Sequence, residues 1–337
     1  MRPAPESIAL IALWPLKALP VPALAFLLGL CLSLGWAIAR EPRIPDANAP
    51  VEVWISDRDA NRVVGLDRNL LPLRSVALRA PLDIEARTDG GAWVISAVHS
   101  DPLGPHLLTR LNATGSSSAE FHLAPVLDLA VDPHGRALVI ELEPAGERLR
   151  IVDDSGASIW TRAWPGALSI AGSTNRVLVG TASGGLALFD PASPATAPRL
   201  SAFGGVLSDV AAGPLPGTWW VLDAAGSCRV ALLDSLLAVM WSKSVGLHAL
   251  HLAPVAGRER VWIADSTQPH VRRFGPGGVL EVDRADLPQS GLDRACAWRG
   301  DSALFTTPGA LLHLDGGGQG SPGQAGFDFL VDVSALR

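Results

Sequence analysis

From Val51 onward the apolar residues come in short runs separated by Gly, Pro, Asp and Asn, with no long stretch that repeats at the 3.6-residue period of an amphipathic helix. The runs predict β-strands, and they recur. A bulky residue inside a β-rich run marks each copy: Trp54 in VEVWISD, Trp93 in GAWVIS, Leu138 in RALVIE, Leu178 in RVLVGT, Trp220 in TWWVLD, Trp262 in RVWIAD and Leu304 in SALFTT. Successive landmarks are 39, 45, 40, 42, 42 and 42 residues apart. A repeat of that length is one small antiparallel unit, too small to bury its own apolar face and therefore stacked against its neighbours.

Two further patterns keep the same period. An apolar residue followed by a turn former closes the next run, at Leu66-Asp67, Leu111-Asn112, Val152-Asp153, Phe189-Asp190, Leu233-Asp234, Phe274-Gly275 and Leu314-Asp315. Asp and Asn accept a hydrogen bond from the backbone two residues on, and Gly tolerates left-handed geometry, so these positions predict turns into another strand. A third pattern precedes each unit, in PLDIEA, VLDLAV, ALSIAG, LSDVAA, ALHLAP and LDRACA, and appears once more in FLVDVSAL near the C-terminus.

The first unit, Val51 to Leu78, lacks that leading strand, and the extra C-terminal copy supplies it. Pairing Leu330–Ala335 with Val51–Ser56 closes a ring and leaves no open sheet edge between the ends. The expected fold is therefore all-β: a β-propeller of about seven four-stranded blades, closed by the C-terminal strand and preceded by one N-terminal hydrophobic helix. Six or eight blades stay open, because the last unit has only Gly-rich sequence, Gly316–Gly326, where its outer strand should be, and Gly316–Gly320 within it reads as a flexible loop. A solenoid shares the repeat but has no need of the returning strand.

At VWISDRDANRVVGLDRNLLPL (Val53–Leu73) and VWIADSTQPHVRRFGPGGVL (Val261–Leu280) the chain resembles NHL-type repeats, in which a strand ending in Asp is followed by a polar turn and a further strand closing at Asp-x-x-Gly. Two units match well and the rest loosely. Asp57, Asp223 and Asp265 fit the Asp position, whereas Ser96, Glu141, Thr181 and Thr307 depart from it, and WD-repeat signatures are missing. The resemblance implies a propeller, and it implies a choice of functions: protein- or RNA-binding modules, extracellular interaction domains, and metal-dependent lactonases or lyases.

The N-terminus is different material. Val21–Ala39 is an unbroken apolar run behind Arg2 and Lys17, and Arg40–Pro50 is a Pro-rich linker. Nineteen residues at about 1.5 Å each just cross a hydrocarbon core of about 30 Å, while Ala37-Ile38-Ala39 also suits signal cleavage. The expected organisation is a signal peptide or single-pass anchor over 1–39, a linker over 40–50 and the propeller over 51–337. That places the propeller outside the cytoplasm, either membrane-anchored through the N-terminal helix or periplasmic or secreted after cleavage near Ala39. Only Cys228 and Cys296 fall in the exported part, too few for a disulfide framework. A net charge of −6, with lysine only at Lys17 and Lys243, speaks against nucleic acid as a partner. The expected partner is another protein or an extracytoplasmic ligand.

Candidate chemistry gathers at one repeat position of the leading strands: Asp83, Asp128, Ser169, Asp209, His251, Asp293 and Asp332. Pointing at the axis, they would form a carboxylate-rich ring able to hold a divalent cation such as calcium or to attract a cationic substrate. The competing explanation is structural, since inner strands need polar groups to hydrogen-bond the adjoining blade. His99, His106, His122, His134, His248, His270 and His313 occupy scattered positions without metal-ligand spacing, and no nucleophile elbow is present. The repeated Trp residues read as core, whereas Trp160, Trp164 and Trp241 fall on outer segments suited to a contact surface. Val98–His106 and Ala113–Ala119 are expected to be loops of one face carrying a contact site. Two functions result: a non-catalytic binding scaffold with no cofactor, which the sequence favours, and a metal-dependent enzyme of lactonase or lyase type using the axial cluster.

Overall fold

In the computed structural model the chain divides into two units, Met1–Pro45 and Asp46–Arg337. The structure describes residues 49–337 except 100, 102, 174, 194, 195, 227, 247, 250, 286, 288–291, 293, 308, 309, 326–329, 336 and 337, with side chains described as far as Gly320. The predicted N-terminal helix, signal or anchor lies outside the described residues. Among those described, no helix is long and apolar enough to cross a membrane.

The described chain forms seven four-stranded antiparallel sheets. Blade 1 is Leu330–Ala335, Val53–Asp57, Arg62–Leu66 and Pro72–Ala77, written from the inner strand outward. Blades 2 and 3 are Pro81–Ala86, Ala92–Ala97, His106–Leu111, Ser117–Leu123, and Val126–Val131, Ala137–Glu143, Gly146–Val152, Ser158–Ala163. Blades 4 and 5 are Ala167–Ser173, Arg176–Thr181, Gly185–Phe189, Arg199–Ala202, and Leu207–Ala212, Trp219–Asp223, Arg229–Leu233, Val239–Ser244. Blades 6 and 7 are Leu252–Pro254, Val261–Ala264, Val271–Phe274, Leu280–Arg284, and Ala295–Trp298, Ser302–Thr307, Ala310–Leu314, Gly320–Ala325. Inner strands of consecutive blades touch in order, and that of blade 7 touches the returning strand of blade 1, so the ring is closed.

Closure comes by the expected strand in a slightly shifted register: Val53 faces Ala335 and Ser56 faces Asp332. The pairing uses Val53–Asp57 and leaves Val51 to fill space beside Gly65. The last blade has its outer strand after all. Asp315 accepts hydrogen bonds from the Gly317 and Gln319 N–H groups, turning the chain so that Gly320–Ala325 pairs with Ala310–Leu314. Gly316–Gly320, expected to be a flexible loop, is thus a tight turn leading into an edge strand.

All seven landmark side chains are fully buried. The reason is a wedge that widens between neighbouring blades and must be filled by bulk. Three of the Trp rings also tie blades together: Nε1 of Trp54, Trp93 and Trp262 donates to the carbonyl of Gly90, Gly135 and Asp301 of the next blade, at 3.1, 2.9 and 2.9 Å. Gly135 sits at φ +79°, and a Cβ there would come within 2.9 Å of the Arg87 guanidinium that shares its carbonyl. Turn formation follows the residues as expected, with Asp67, Asn112, Asp153 and Asp234 each accepting from the N–H groups two and four residues on.

The Asp residues that end the second strands have a related task. Asp223 and Asp265 accept the Val206 and His248 N–H groups of the loop leading into their own inner strand. Glu141, which departs from the Asp pattern, performs the same tie on Ala124 N–H.

Two expectations about contact surfaces are overturned. Trp160 and Trp164 are half-buried edge-on against Phe189 of the next blade, and Trp241 is half-buried against Trp220 with Nε1 donating to Glu259. Outer strands lie close enough to the following blade for a Trp to bridge the gap, so these rings complete the packing. Ala113–Ala119 is a turn followed by the outer strand Ser117–Leu123, at the end of blade 2 opposite to the Val98–His106 connection. Antiparallel strands send successive turns to alternate faces, so the two segments do not share one.

Candidate functional site

The register places a defined set of side chains at the axis. In five blades an inner-strand residue pairs with the residue two beyond the landmark: Asp83 with Ile95, Asp128 with Ile140, Ser169 with Gly180, Asp209 with Leu222, and Asp332 with Ser56. In these five blades a β-bulge lies directly beside the axial residue. An extra residue in one strand re-aims the side chain next to it and strengthens the twist, a device common beside binding sites.

Blade 7 corrects the sequence reading. Ala295 pairs with Phe305, so the residue opposite Thr306, two beyond Leu304, is Arg294 and not Asp293. Asp293 itself lies outside the described residues, as does the side chain of Asp332. A one-residue slip moves a side chain to the other face of a strand, which makes the distinction decisive. The signal was present in LDRACA: every other axial residue is followed by an aliphatic core residue, and Arg294 cannot occupy that core position behind Asp293.

The axial polar groups act first as latches. Asp128 Oδ2 accepts the Ile170 N–H at 2.7 Å, Ser169 Oγ donates to the Leu207 carbonyl at 3.2 Å, and Asp209 Oδ2 accepts the Leu252 N–H at 2.6 Å. Each bond passes from one blade to the next. His106, buried on the third strand of blade 2, makes an analogous tie through Nδ1 to the Val126 N–H at 2.9 Å.

Arg294 reaches into the middle of this ring. Its Nη1 donates to His251 Nδ1 at 3.3 Å, its Nη2 lies 3.8 Å from Asp83 Oδ2, and His251 Nδ1 is 3.8 Å from Asp209 Oδ2. Guanidinium and carboxylates therefore share one small volume. Burial, joined by repulsion from Asp83 and Asp209, pushes the Asp128 carboxyl well above the usual carboxylate range, against the pull of Arg294 and the Ile170 N–H. Part of Asp128 stays open to the cavity, but protein encloses the carboxyl at longer range and that enclosure dominates.

Above the ring lies a cavity of about 430 Å³ floored by Asp128, Asp209, His251 and Arg294. Its size falls within the usual span of small-ligand sites, about 300–1,000 Å³. The space exists because the next inward-facing position of three strands is alanine, at Ala130, Ala171 and Ala211, with Glu85 and Cys296 completing the wall. At the mouth stand Thr88, Asp132, Pro133, Ser173 and the loop Gly213–Pro216, whose Leu215 is 62% exposed. Arg294 and the alanine wall are the elements that the sequence reading missed.

The possible divalent cation can be tested against these donors. Among the described residues no three of His, Cys, Asp and Glu are placed to share an ion. Two of the axial carboxylates are committed to backbone N–H groups and a guanidinium stands among them. Among the described residues these donors do not assemble a calcium site, Asp293 and the Asp332 side chain lying outside them, and no chemistry is derived through a metal.

The latch and the raised Asp128 pKa make opposite demands that substitutions separate. Asp128→Ala leaves the Ile170 N–H without its acceptor and is expected to cost about 1–3 kcal/mol. Asp128→Asn keeps an accepting oxygen and removes a charge that the site disfavours. Because the folded-state pKa is raised, the native state holds a proton that the unfolded chain releases from about pH 4 upward. Wild-type stability therefore falls as pH climbs from there to the raised value, and Asp128→Asn is expected to abolish that part of the fall. Urea unfolding of both proteins across the window measures the difference.

No known family's sequence profile matches this chain, and no curated protein matches it. The fold is similar to that of a functionally unknown protein from Desulfotomaculum acetoxidans DSM 771, at 13% identity and TM-score 0.67, covering 85% of this chain and 98% of that one. It is also similar to apo AztD from Citrobacter koseri, at 14% identity and TM-score 0.60, over 85% of this chain and 98% of the other. At such identities the likeness is one of fold, and it supports the seven-bladed propeller. It adds nothing to the NHL resemblance.

Proposed function

We infer that this chain is an extracytoplasmic binding protein, tethered or released through its N-terminal apolar segment, that holds a small ligand in the axial cavity and carries out no reaction on it. The observation that carries this reading is the cavity itself: three alanines open a space over a polar floor. Two carboxylates of that floor, Asp128 and Asp209, are fixed as blade latches. Groups locked by backbone hydrogen bonds orient a ligand well, whereas a general acid or base must exchange its proton with substrate.

The reading is tested by filling the space. Ala171 and Ala211 are nearly buried and face inward, so Ala171→Trp with Ala211→Trp puts indole bulk into the cavity. A thermal-shift screen of the full-length protein against small polar metabolites is expected to give ligands that raise the wild-type midpoint and leave that of the double variant unmoved. Hits that stabilise both proteins equally would place binding elsewhere.

A further inference from the structure

Building on the cavity as the binding site, we propose that its ligand carries an ammonium or guanidinium head on a short hydrocarbon stem, the chemistry of a diamine or of agmatine. The cavity is amphipathic along its length. Its floor is polar, its wall is the methyl groups of Ala130, Ala171 and Ala211, and one side of its mouth is Pro133, Pro214, Leu215 and Pro216. A polyhydroxylated ligand leaves that wall and that side of the mouth unmatched. A methylene stem matches them.

The head group is specified by the floor. Asp83 and Asp128 feel one guanidinium, Asp209 lies beside His251 and repels Asp128, and Glu85 adds a carboxylate on the wall. Arg294 shows what this ring accepts: a flat cation between His251 Nδ1 and Asp83 Oδ2, drawn from the chain itself. A second cation entering from the mouth meets Asp128 and Asp209 on the side facing the cavity. Burial first, and repulsion from Asp83 and Asp209 second, disfavour the ionised Asp128 carboxyl. A ligand cation relieves that repulsion and favours the ionised form, so its binding tightens as pH rises.

The test is calorimetric titration of the full-length protein with agmatine and with 1,4-diaminobutane, using 1,4-butanediol as the uncharged control. Saturable binding of at least one amine and none of the diol is expected. Asp209→Asn keeps an acceptor for the Leu252 N–H while removing charge, and should weaken the amine at least tenfold. Ala171→Trp with Ala211→Trp should abolish binding. Diol binding equal to amine binding, or amine binding indifferent to Asp209→Asn, overturns the cationic head. If an anion or a neutral sugar binds instead and the double Trp variant blocks it, the cavity reading stands and this proposal falls. If the double variant leaves every ligand's affinity unchanged, the cavity reading falls with it. Stoichiometric calcium binding that Asp209→Asn abolishes would also overturn the proposal, in favour of a metal site.

Discussion

Truncation ahead of Leu330 is expected to destroy the monomeric propeller. Without Leu330–Ala335 the second strand of blade 1, Val53–Asp57, loses its partner along one edge, although all five of its residues are buried in the intact ring. The returning strand also packs on the inner strand of blade 2, where Ile84 is fully buried. Uncovering Val53, Ile55 and Ile84 at about 1.5–3 kcal/mol each is comparable with the whole stability margin of a typical domain, about 5–15 kcal/mol. The opened edge also invites pairing with other chains. Sedimentation and denaturant unfolding should show an associated chain without a cooperative transition. A monomer that melts within a few degrees of the wild type would mean that the ring does not need its fastener.

A second large effect is expected at Trp93. The side chain is fully buried between blades 2 and 3, set against Phe121 at 6.5 Å between ring centres, with Arg87 5.8 Å above its face. Trp93→Ala combines lost burial with a cavity that the rigid blades cannot collapse, at about 3–5 kcal/mol. The more discriminating comparison uses phenylalanine. Trp93→Phe also removes the hydrogen bond to Gly135, worth about 0.5–1.5 kcal/mol, whereas Trp220 Nε1 has no partner among the described residues, so Trp220→Phe loses no such bond there. Urea midpoints should therefore fall further for Trp93→Phe than for Trp220→Phe. Equal shifts would show that packing alone sets the cost.

The contrast between these residues and the axial ring explains what could be read from the sequence. Trp54, Trp93 and Trp262 are visible because a wedge between blades demands bulk at a repeated position, and bulk is a property of one residue. The returning strand is visible because it repeats a pattern that the first unit lacks. Arg294 was missed because ring membership depends on register, which adjacent Asp293 and Arg294 left ambiguous until the pairing of Ala295 with Phe305 resolved it. The cavity was hidden for a related reason: three alanines are unremarkable in a sequence, and only their stacking above one ring makes a space. Trp160, Trp164 and Trp241 misled because an outer strand looks exposed within its own blade. Its burial comes from the next one.

The fastening of blade 1 by the last strand also sets a schedule. A ribosome delivers Val53–Asp57 before the other six blades and its inner neighbour Leu330–Ala335 after them, so blade 1 waits through their synthesis. Blades 2 to 7 are each contiguous in the chain and can form in turn. Completion of the ring is thus a record that synthesis has passed Ala335: a chain halted or clipped before that strand keeps an open edge, the feature by which chaperones and proteases sort unfinished proteins from finished ones.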